Sequence, residues 1–363
     1  MLFFYGAYGF TGRQIFDFFR SHFPLQSKKI IISGKNKEKL DNLKGKLKSK
    51  FPQIEVDILP ATPFELQSKK IDGIKLVVNT AGPFSDTGEF VLNFAIRNDA
   101  NYIDCTGEWN WTKKIIDNYD KILKEKKLFA SSGVAWETVS GEICVKELVD
   151  KLKQEGKISD VKKIHLVYLA DFAMSRGTLK SSLKILKSGA IRWEYGKIKT
   201  VQPAERKFSF DLQGKSKFLA LNLSTSDVIN VPLSLGELSQ SIEFEVFFAT
   251  SQKRAQIFSY LVKTMRRLAS FRFFATISNF ILNLLPEPDE NRLQNRASAL
   301  AFAYDANSNI ISSYEIKATK PYYITAKILA FACSQFEKGN YKKLYGYVSP
   351  TFLFDFPKDF IFS

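Results

Sequence analysis

Leu2-Phe3-Phe4-Tyr5-Gly6-Ala7-Tyr8-Gly9-Phe10-Thr11-Gly12-Arg13 decides the fold. The first four residues read as a buried strand. Gly6, Gly9 and Gly12 follow at a GxxGxxG spacing that runs directly into a helical pattern. In such a turn one glycine permits the tight bend, a second lets backbone approach a pyrophosphate, and a third lets helix and strand pack closely. The helix start offers N–H groups and the positive end of its dipole to phosphate. Thr11 adds a hydroxyl and Arg13 a charge. A glycine triplet alone is weak; as the opening strand–turn–helix of a βαβ series it is stronger. The reading without a ligand is a glycine-rich turn.

That series extends to residue 133. Leu2–Tyr5, Lys29–Ser33, Ile54–Ile58, Lys75–Asn79, Asn101–Cys105 and Lys127–Ser131 read as strands. Between them lie helical stripes such as Leu40, Leu43, Leu47 and Phe90, Val91, Phe94, Ala95. The alternation predicts an α/β fold: a Rossmann-type, doubly wound parallel sheet over 1–133, with ligands at the edge carrying the loops after the strands. An NAD site usually has a carboxylate at the end of the second strand. Here Ser33-Gly34-Lys35-Asn36 has none, and Glu38 comes too late. Lys35, with Arg13 as a second candidate, offers positive charge for the 2′-phosphate and so favours NADP, although Lys35 also reads as an ordinary surface lysine.

Beyond residue 133 the pattern changes. Thr138–Glu155 reads as helix, Lys163–Ala170 as strand and Thr178–Leu186 as helix, and residues 190–250 carry several β-like segments, such as Lys207–Leu212, Ile229–Val231 and Ile242–Ala249. Ser251–Leu285 reads as helix, possible breaks aside, and Pro286–Asp289 as loop. Ser298–Asp305 and Asn309–Ala318 read as a hairpin around Ala306-Asn307-Ser308. This predicts a second α+β domain over 134–320, built on a mixed or antiparallel sheet, for substrate and dimerisation. Residues 321–363, with a helix over Tyr322–Glu337, are expected to pack back on the first domain.

The chain has 363 residues, 53 Lys+Arg against 37 Asp+Glu, and a formal net charge of +16. With 45% hydrophobic and 25% charged residues it is an ordinary globular composition, which argues against disorder. Cys105, Cys144 and Cys333 are dispersed, so a disulfide framework or structural zinc is not expected; a reducing, cytoplasmic setting is. Only His22 and His165 are present, which argues against a His-rich metal site, and no metal is expected. The start shows no basic n-region or long h-region. Leu268–Leu285 is interrupted by Arg272, Asn279 and Asn283 and falls short of a clean apolar span of about 20 residues. The excess positive charge fits nucleic acid, an anionic membrane or anionic ligands. No basic–aromatic nucleic-acid module is present, so nucleic acid is not expected. Lys253 to Leu285 mixes Lys253, Arg254, Lys263, Arg266, Arg267 and Arg272 with many Phe, Leu and Ile residues. It reads as a peripheral membrane contact, an apolar substrate channel, or a buried helix with a basic rim.

Gly6-Ala7-Tyr8-Gly9-Phe10-Thr11-Gly12-Arg13 resembles the GATGFTGR opening of saccharopine dehydrogenase-like oxidoreductases, including the trans-acting enoyl reductase branch. Asn79-Thr80-Ala81-Gly82-Pro83-Phe84 with Gly88-Glu89 resembles their GPF…GE segment. Tyr102-Ile103-Asp104-Cys105-Thr106-Gly107-Glu108 resembles YVDxTGE. Residues 133–142 are similar to GxGFDVVPxD, Ser175-Arg176-Gly177-Thr178 to S-x-GT, and Thr351–Phe362 to the closing segment. Tyr8 replaces the threonine of GATG, Lys35 an arginine, Glu137 and Glu142 two aspartates, and Ser140 a proline.

The resemblance implies that Gly6, Ala7, Gly9, Phe10, Thr11, Gly12, Arg13, Lys35, Asn36, Ala81, Gly82, Pro83 and Phe84 line NADP. Asp57 reads either as an adenine contact or as a solvent-facing strand acid. For proton delivery after hydride transfer the candidates are Asp104, Glu108 and Glu137, with bracing of the Thr106-Gly107 turn as the alternative for Asp104. Cys105 reads as a buried inert thiol, His165 as a satisfied sheet residue and Tyr168 as packing. The reading is an NADPH-dependent oxidoreductase acting on an enoyl or imine bond of a small or acyl-type, lipid-like substrate. Its alternative is an NADP-binding, non-catalytic protein at a membrane surface or on a partner protein, with homodimerisation left open.

Overall fold

Strands buried on both faces need helices on both sides, and the first six strands show why this chain builds that arrangement. β1 (Leu2–Tyr5), β2 (Lys29–Gly34), β3 (Glu55–Pro60), β4 (Leu76–Asn79), β5 (Asn101–Asp104) and β6 (Phe129–Ser132) are mostly apolar and buried, apart from the β3 edge. The structure, a computed structural model, describes residues 1–170, 189–212, 216–268 and 296–362. All six strands pair in parallel in the order β6-β5-β4-β1-β2-β3. The order reverses between β1 and β4, so the loops after these two strands face one crevice.

The crossovers are α1 (Phe10–Ser21), α2 (Lys37–Lys50), the short α3 (Pro63–Leu66), α4 (Phe84–Arg97) and α5 (Trp109–Glu125). α1 buries Ile15, Phe16, Phe18 and Phe19. α2 buries the expected stripe Leu40, Leu43 and Leu47.

After β6, α6 (Trp136–Gln154) leads to the second sheet and packs on it. Its strands are β7 (Lys163–Ala170), β8 (Ala190–Glu194), β9 (Lys197–Val201), β10 (Lys207–Leu212), β11 (Ser216–Asn222), β12 (Glu243–Ser251), β13 (Arg296–Tyr304) and β14 (Ile310–Thr319). The order is β10-β11-β12-β7-β13-β14, with the β8–β9 hairpin attached to β12. Only the β7–β12 pairing is parallel among these described strands, so the sheet is mixed. Ile164, Leu166, Ala299 and Ala301 belong to the core shared with α6, while Val167, Phe247 and Phe302 form a separate cluster.

One expectation is corrected. Ile229–Val231 is not a strand but the middle of α7 (Asp227–Leu235). Its β-branched residues are buried in succession, and tertiary burial overrides their strand preference. The β8–β9 hairpin lies in the stretch read as β-like, without strand bounds of its own: its two turn residues, Tyr195 and Gly196, both have positive φ (48° and 84°). Such turns are usually signalled by Asn-Gly, and Tyr-Gly hides the signal.

The helix expected over Ser251–Leu285 is described as α8 (Gln252–Leu268). Its remainder, Pro286–Asp289, Thr178–Leu186 and the Ser175–Thr178 motif lie outside the described residues. α9 (Pro321–Glu337) packs on α1. β15 (Gly346–Tyr347) then joins β6 as a seventh parallel strand. α10 (Pro350–Leu353) follows.

Candidate functional site

The β1–α1 turn is built by close approach. Gly6 has φ +78°, and a Cβ there would meet Ala81 N and Cβ at 2.9 Å. A Cβ on Gly12 would stand 2.5 Å from Gly6 O and 2.9 Å from Ala7 O. Gly6 N and Ala7 N donate to Ser33 O at 3.0 and 3.3 Å, tying the turn to β2. Thr80 Oγ1 donates toward Tyr5 O and Gly6 O, each at 3.1 Å, tying it to β4. Gly9 is the N-cap of α1 and supplies no side chain. The first-turn amides of Phe10, Thr11 and Gly12 precede the first helical bond, from Arg13 N to Gly9 O at 3.0 Å, and are of the kind that can hold an anion. Phe10 is held edge-on by Tyr322 of α9 at 5.5 Å, and the Arg13 guanidinium lies 5.3 Å from the Phe10 ring. Lys35 is exposed at the end of β2, next to Asn36, whose side chain caps α2 by accepting from Lys39 N at 2.9 Å. Asp57 is ion-paired with Lys29 at 2.7 Å.

The β4–α4 loop is fixed by an acid from the next loop. Glu108 accepts from Phe84 N at 2.8 Å and Ser85 N at 3.0 Å, one on each carboxylate oxygen. It thereby caps α4 and holds Ala81, Gly82 and Pro83 at the crevice. Asp104 is fully buried at the end of β5. It accepts from Tyr102 Oη, Trp111 Nε1, Thr106 N, Ser132 Oγ and Gly133 N at 2.7–3.3 Å. Burial pushes its carboxyl up while these donors oppose the shift. Five donors on one side chain brace the β5 and β6 loops. Asp104 and Glu108 are thus both buried and both engaged by backbone amides.

Glu137 differs. It lies in the first turn of α6, half-buried, and burial raises its carboxyl to about 7 with help from the charge of Asp227. Its backbone oxygen accepts from the Tyr168 hydroxyl. That hydroxyl also lies 2.8 Å from Asp227 Oδ1, and Thr225 Oγ1 donates to Asp227 Oδ2. One phenolic proton faces two acceptors, so one contact lacks a donor until Asp227 is protonated; burial raises that carboxyl to about 6. Gly141 makes room, because a Cβ there would stand 2.3 Å from the phenol oxygen. Ser226 links the same segment to the first domain, accepting from Thr112 Oγ1 at 3.0 Å and donating to Thr106 O at 3.3 Å. Asn230 donates to Ser132 O at 3.0 Å and accepts from Tyr347 Oη at 2.6 Å. Glu142, raised to about 8 by burial, accepts from Thr351 N at 2.9 Å. Its other oxygen has no partner among the described residues.

Sequence reading missed Asp227, Thr225 and Asn230, and read Tyr168 as packing alone. The Ser224-Thr225-Ser226-Asp227 run is a helix-start signature that marks where α7 begins. Nothing local marks its partners, which lie 59 and 98 positions away. Cys105 is half-buried, and burial pushes its thiol up. His165 is not the satisfied sheet residue expected. Neither ring nitrogen has a partner among the described residues, and the ring lies 4.7–5.2 Å from Phe208, Phe247 and Tyr304. Burial lowers its pKa to about 3, so it is neutral. Among the described residues no group of His, Cys, Asp and Glu could hold a metal.

No protein-family model matches the chain. A curated protein, the "Lipid droplet localized protein" of Caenorhabditis elegans, is 24% identical over 212 residues, 55% of this chain and 49% of that one. The chain thus matches about half the length of this relative. Saccharopine dehydrogenase (L-Glu forming) from Saccharomyces cerevisiae superposes with a TM-score of 0.54 at 12% identity, over 96% of this chain and 93% of that one. An amine dehydrogenase from Mycobacterium smegmatis gives 0.46 at 8% identity, over 97% and 95%. The yeast enzyme shares the two-part architecture described above: a parallel sheet between helices and a second, mixed sheet.

Proposed function

We propose that the chain is an NADPH-dependent oxidoreductase that reduces an enoyl or imine bond of a small or lipid-like substrate. The observation carrying this reading is the seat at the β1–β4 switch point: a side-chain-free helix cap, with Gly6 and Gly12 drawn so close that no Cβ fits. A bridging diphosphate suits that seat. Exposed Lys35, with no carboxylate at the end of β2, supports the 2′-phosphate form. The nicotinamide, when bound, supplies hydride. The chain's part is to position it and to move a proton. Glu108 holds the Ala81–Pro83 loop, and Asp104 braces the next two loops. Glu137 is the acid best suited to give a proton: it is only half-buried, and burial raises its carboxyl to about 7, so a protonated fraction persists near neutrality. Asp227 and Tyr168 stand behind it.

Calorimetric titration tests the reading. NADPH should bind with one-to-one stoichiometry and more tightly than NADH, and a panel of enoyl thioesters and cyclic imines should yield turnover. Absence of dinucleotide binding defeats the reading.

A second reading is an NADP-binding protein without turnover that works at a lipid surface, cytoplasmic and peripheral. It is favoured by α8, which carries five basic residues and no acidic one in sequence and exposes Ile257 (61%) and Tyr260 (71%). The printed name of the nematode relative agrees with it. No described helix is long and apolar enough to cross a membrane. Stoichiometric NADPH binding without any turnover, together with flotation on anionic vesicles that Ile257→Asp abolishes, would favour this reading.

A further inference from the structure

Tyr8 stands in the phosphate turn, between Gly6 and Gly9, yet its ring reaches the end of the second strand. A Cβ on Gly34 would lie 2.5 Å from Tyr8 Cε1, 3.1 Å from Cζ and 3.3 Å from Cδ1, so the ring rests directly on that backbone. The Asn36 N–H donates to the Tyr8 hydroxyl at 3.2 Å. The Lys39 ammonium lies 5.8 Å from the ring centroid. Glycine at position 34 is what lets the ring lie there. In a doubly wound fold this strand end is where the adenosine ribose is read. The Asn36 amide, at the cap of α2, is a natural donor to a ribose or phosphate oxygen. Here a phenol oxygen of the chain itself takes that donor.

We propose that Tyr8 is a lid over the adenosine end of the seat, closed in this structure, and that it sets the affinity for dinucleotides against mononucleotides. The inference rests on the dinucleotide reading above. The ring covers the ribose corner and leaves the first-turn amides of α1 untouched by its own contacts. An adenosine-bearing ligand must turn the ring away and replace its contact with Asn36. A ligand without adenosine has no need to. The apparent affinity for the dinucleotide then falls by the fraction of molecules with the lid open.

The test is calorimetry on the full chain with NADPH and with reduced nicotinamide mononucleotide, using Tyr8→Thr and Tyr8→Phe, with folding checked by circular dichroism. Tyr8→Thr, too short to reach Gly34 or Asn36, should tighten NADPH about tenfold. Tyr8→Phe, which loses only the hydroxyl, should tighten it about threefold. The mononucleotide should bind all three proteins equally. Unchanged NADPH affinity in Tyr8→Thr overturns the lid. So does weaker binding, which would make the ring a stacking shelf, and so does an equal gain for the mononucleotide. If no folded form binds any dinucleotide, the seat itself is refuted and the lid with it.

Discussion

Replacing Gly12 by alanine sets two effects of opposite sign against each other. Gly12 lies in the first turn of α1, where alanine should gain up to about 1 kcal/mol in helix propensity. The new Cβ would stand 2.5 Å from Gly6 O, 2.9 Å from Ala7 O and 2.9 Å from Thr80 Oγ1. Two of these are backbone oxygens in the turn that Ser33 and Thr80 pin from either side, so they have little freedom to retreat. Overpacking of this kind costs about 1–3 kcal/mol. The clash should win, leaving a net loss of about 1–2 kcal/mol. NADPH binding should also weaken, because relief can come only by moving α1 off the turn. Gly45→Ala is the internal control: it is exposed in α2 with nothing within 4 Å of its Cβ position, so it should stabilise by about 0.5–1 kcal/mol. Urea unfolding of both variants reads the two signs in one experiment. If Gly12→Ala is as stabilising as Gly45→Ala, the close packing of turn and helix, and the seat argued from it, are wrong.

Lys35→Glu should weaken NADPH about tenfold while changing NADH far less, since only a charge-assisted bond to the 2′-phosphate is lost; equal losses in parallel titrations would remove Lys35 from that role. Glu108→Gln turns an amide N–H₂ toward the Phe84 or Ser85 amide, so urea unfolding should show a loss of about 1–3 kcal/mol, and a change below about 0.5 kcal/mol would contradict the capping role. Glu142 is raised from 4.5 to about 8, so between those pH values the folded state holds a proton that the unfolded state has released. Its contribution is therefore lost progressively as pH rises through that window, and Glu142→Gln should flatten the decline, gaining more than about 1 kcal/mol at pH 8 relative to pH 5. An unchanged slope in urea titrations across pH 5–8 would show that Glu142 is ionised throughout.

What sequence reading could see was local. The Leu2–Arg13 stretch has its strand, turn and helix within twelve residues, and the Leu40–Leu43–Leu47 stripe declares its buried face by spacing alone. The tight glycine turn was therefore legible, as was the parallel sheet. The carboxylates were visible as residue types but not as environments. Asp104 and Glu108 look alike in sequence, both flanking the Thr106-Gly107 turn, and only the structure shows one collecting five donors while the other caps a helix in the preceding crossover. Glu137 has meaning only beside Asp227, and that proximity depends on α6 and α7 packing together. Ile229–Val231 misled because a run of β-branched residues reads the same in a buried helix as in a strand.

The seventh strand of the first sheet carries a consequence for synthesis. Tyr347 N donates to Asp120 Oδ1 at 2.8 Å across 227 positions, and its strand completes the edge beside β6. A nascent chain must therefore hold that edge open while the ribosome makes the entire intervening domain. Long-range pairing of this kind is slow and leaves an unpaired border exposed to neighbours. In a crowded cell, this border is where a chaperone has most to shield before translation reaches Tyr347.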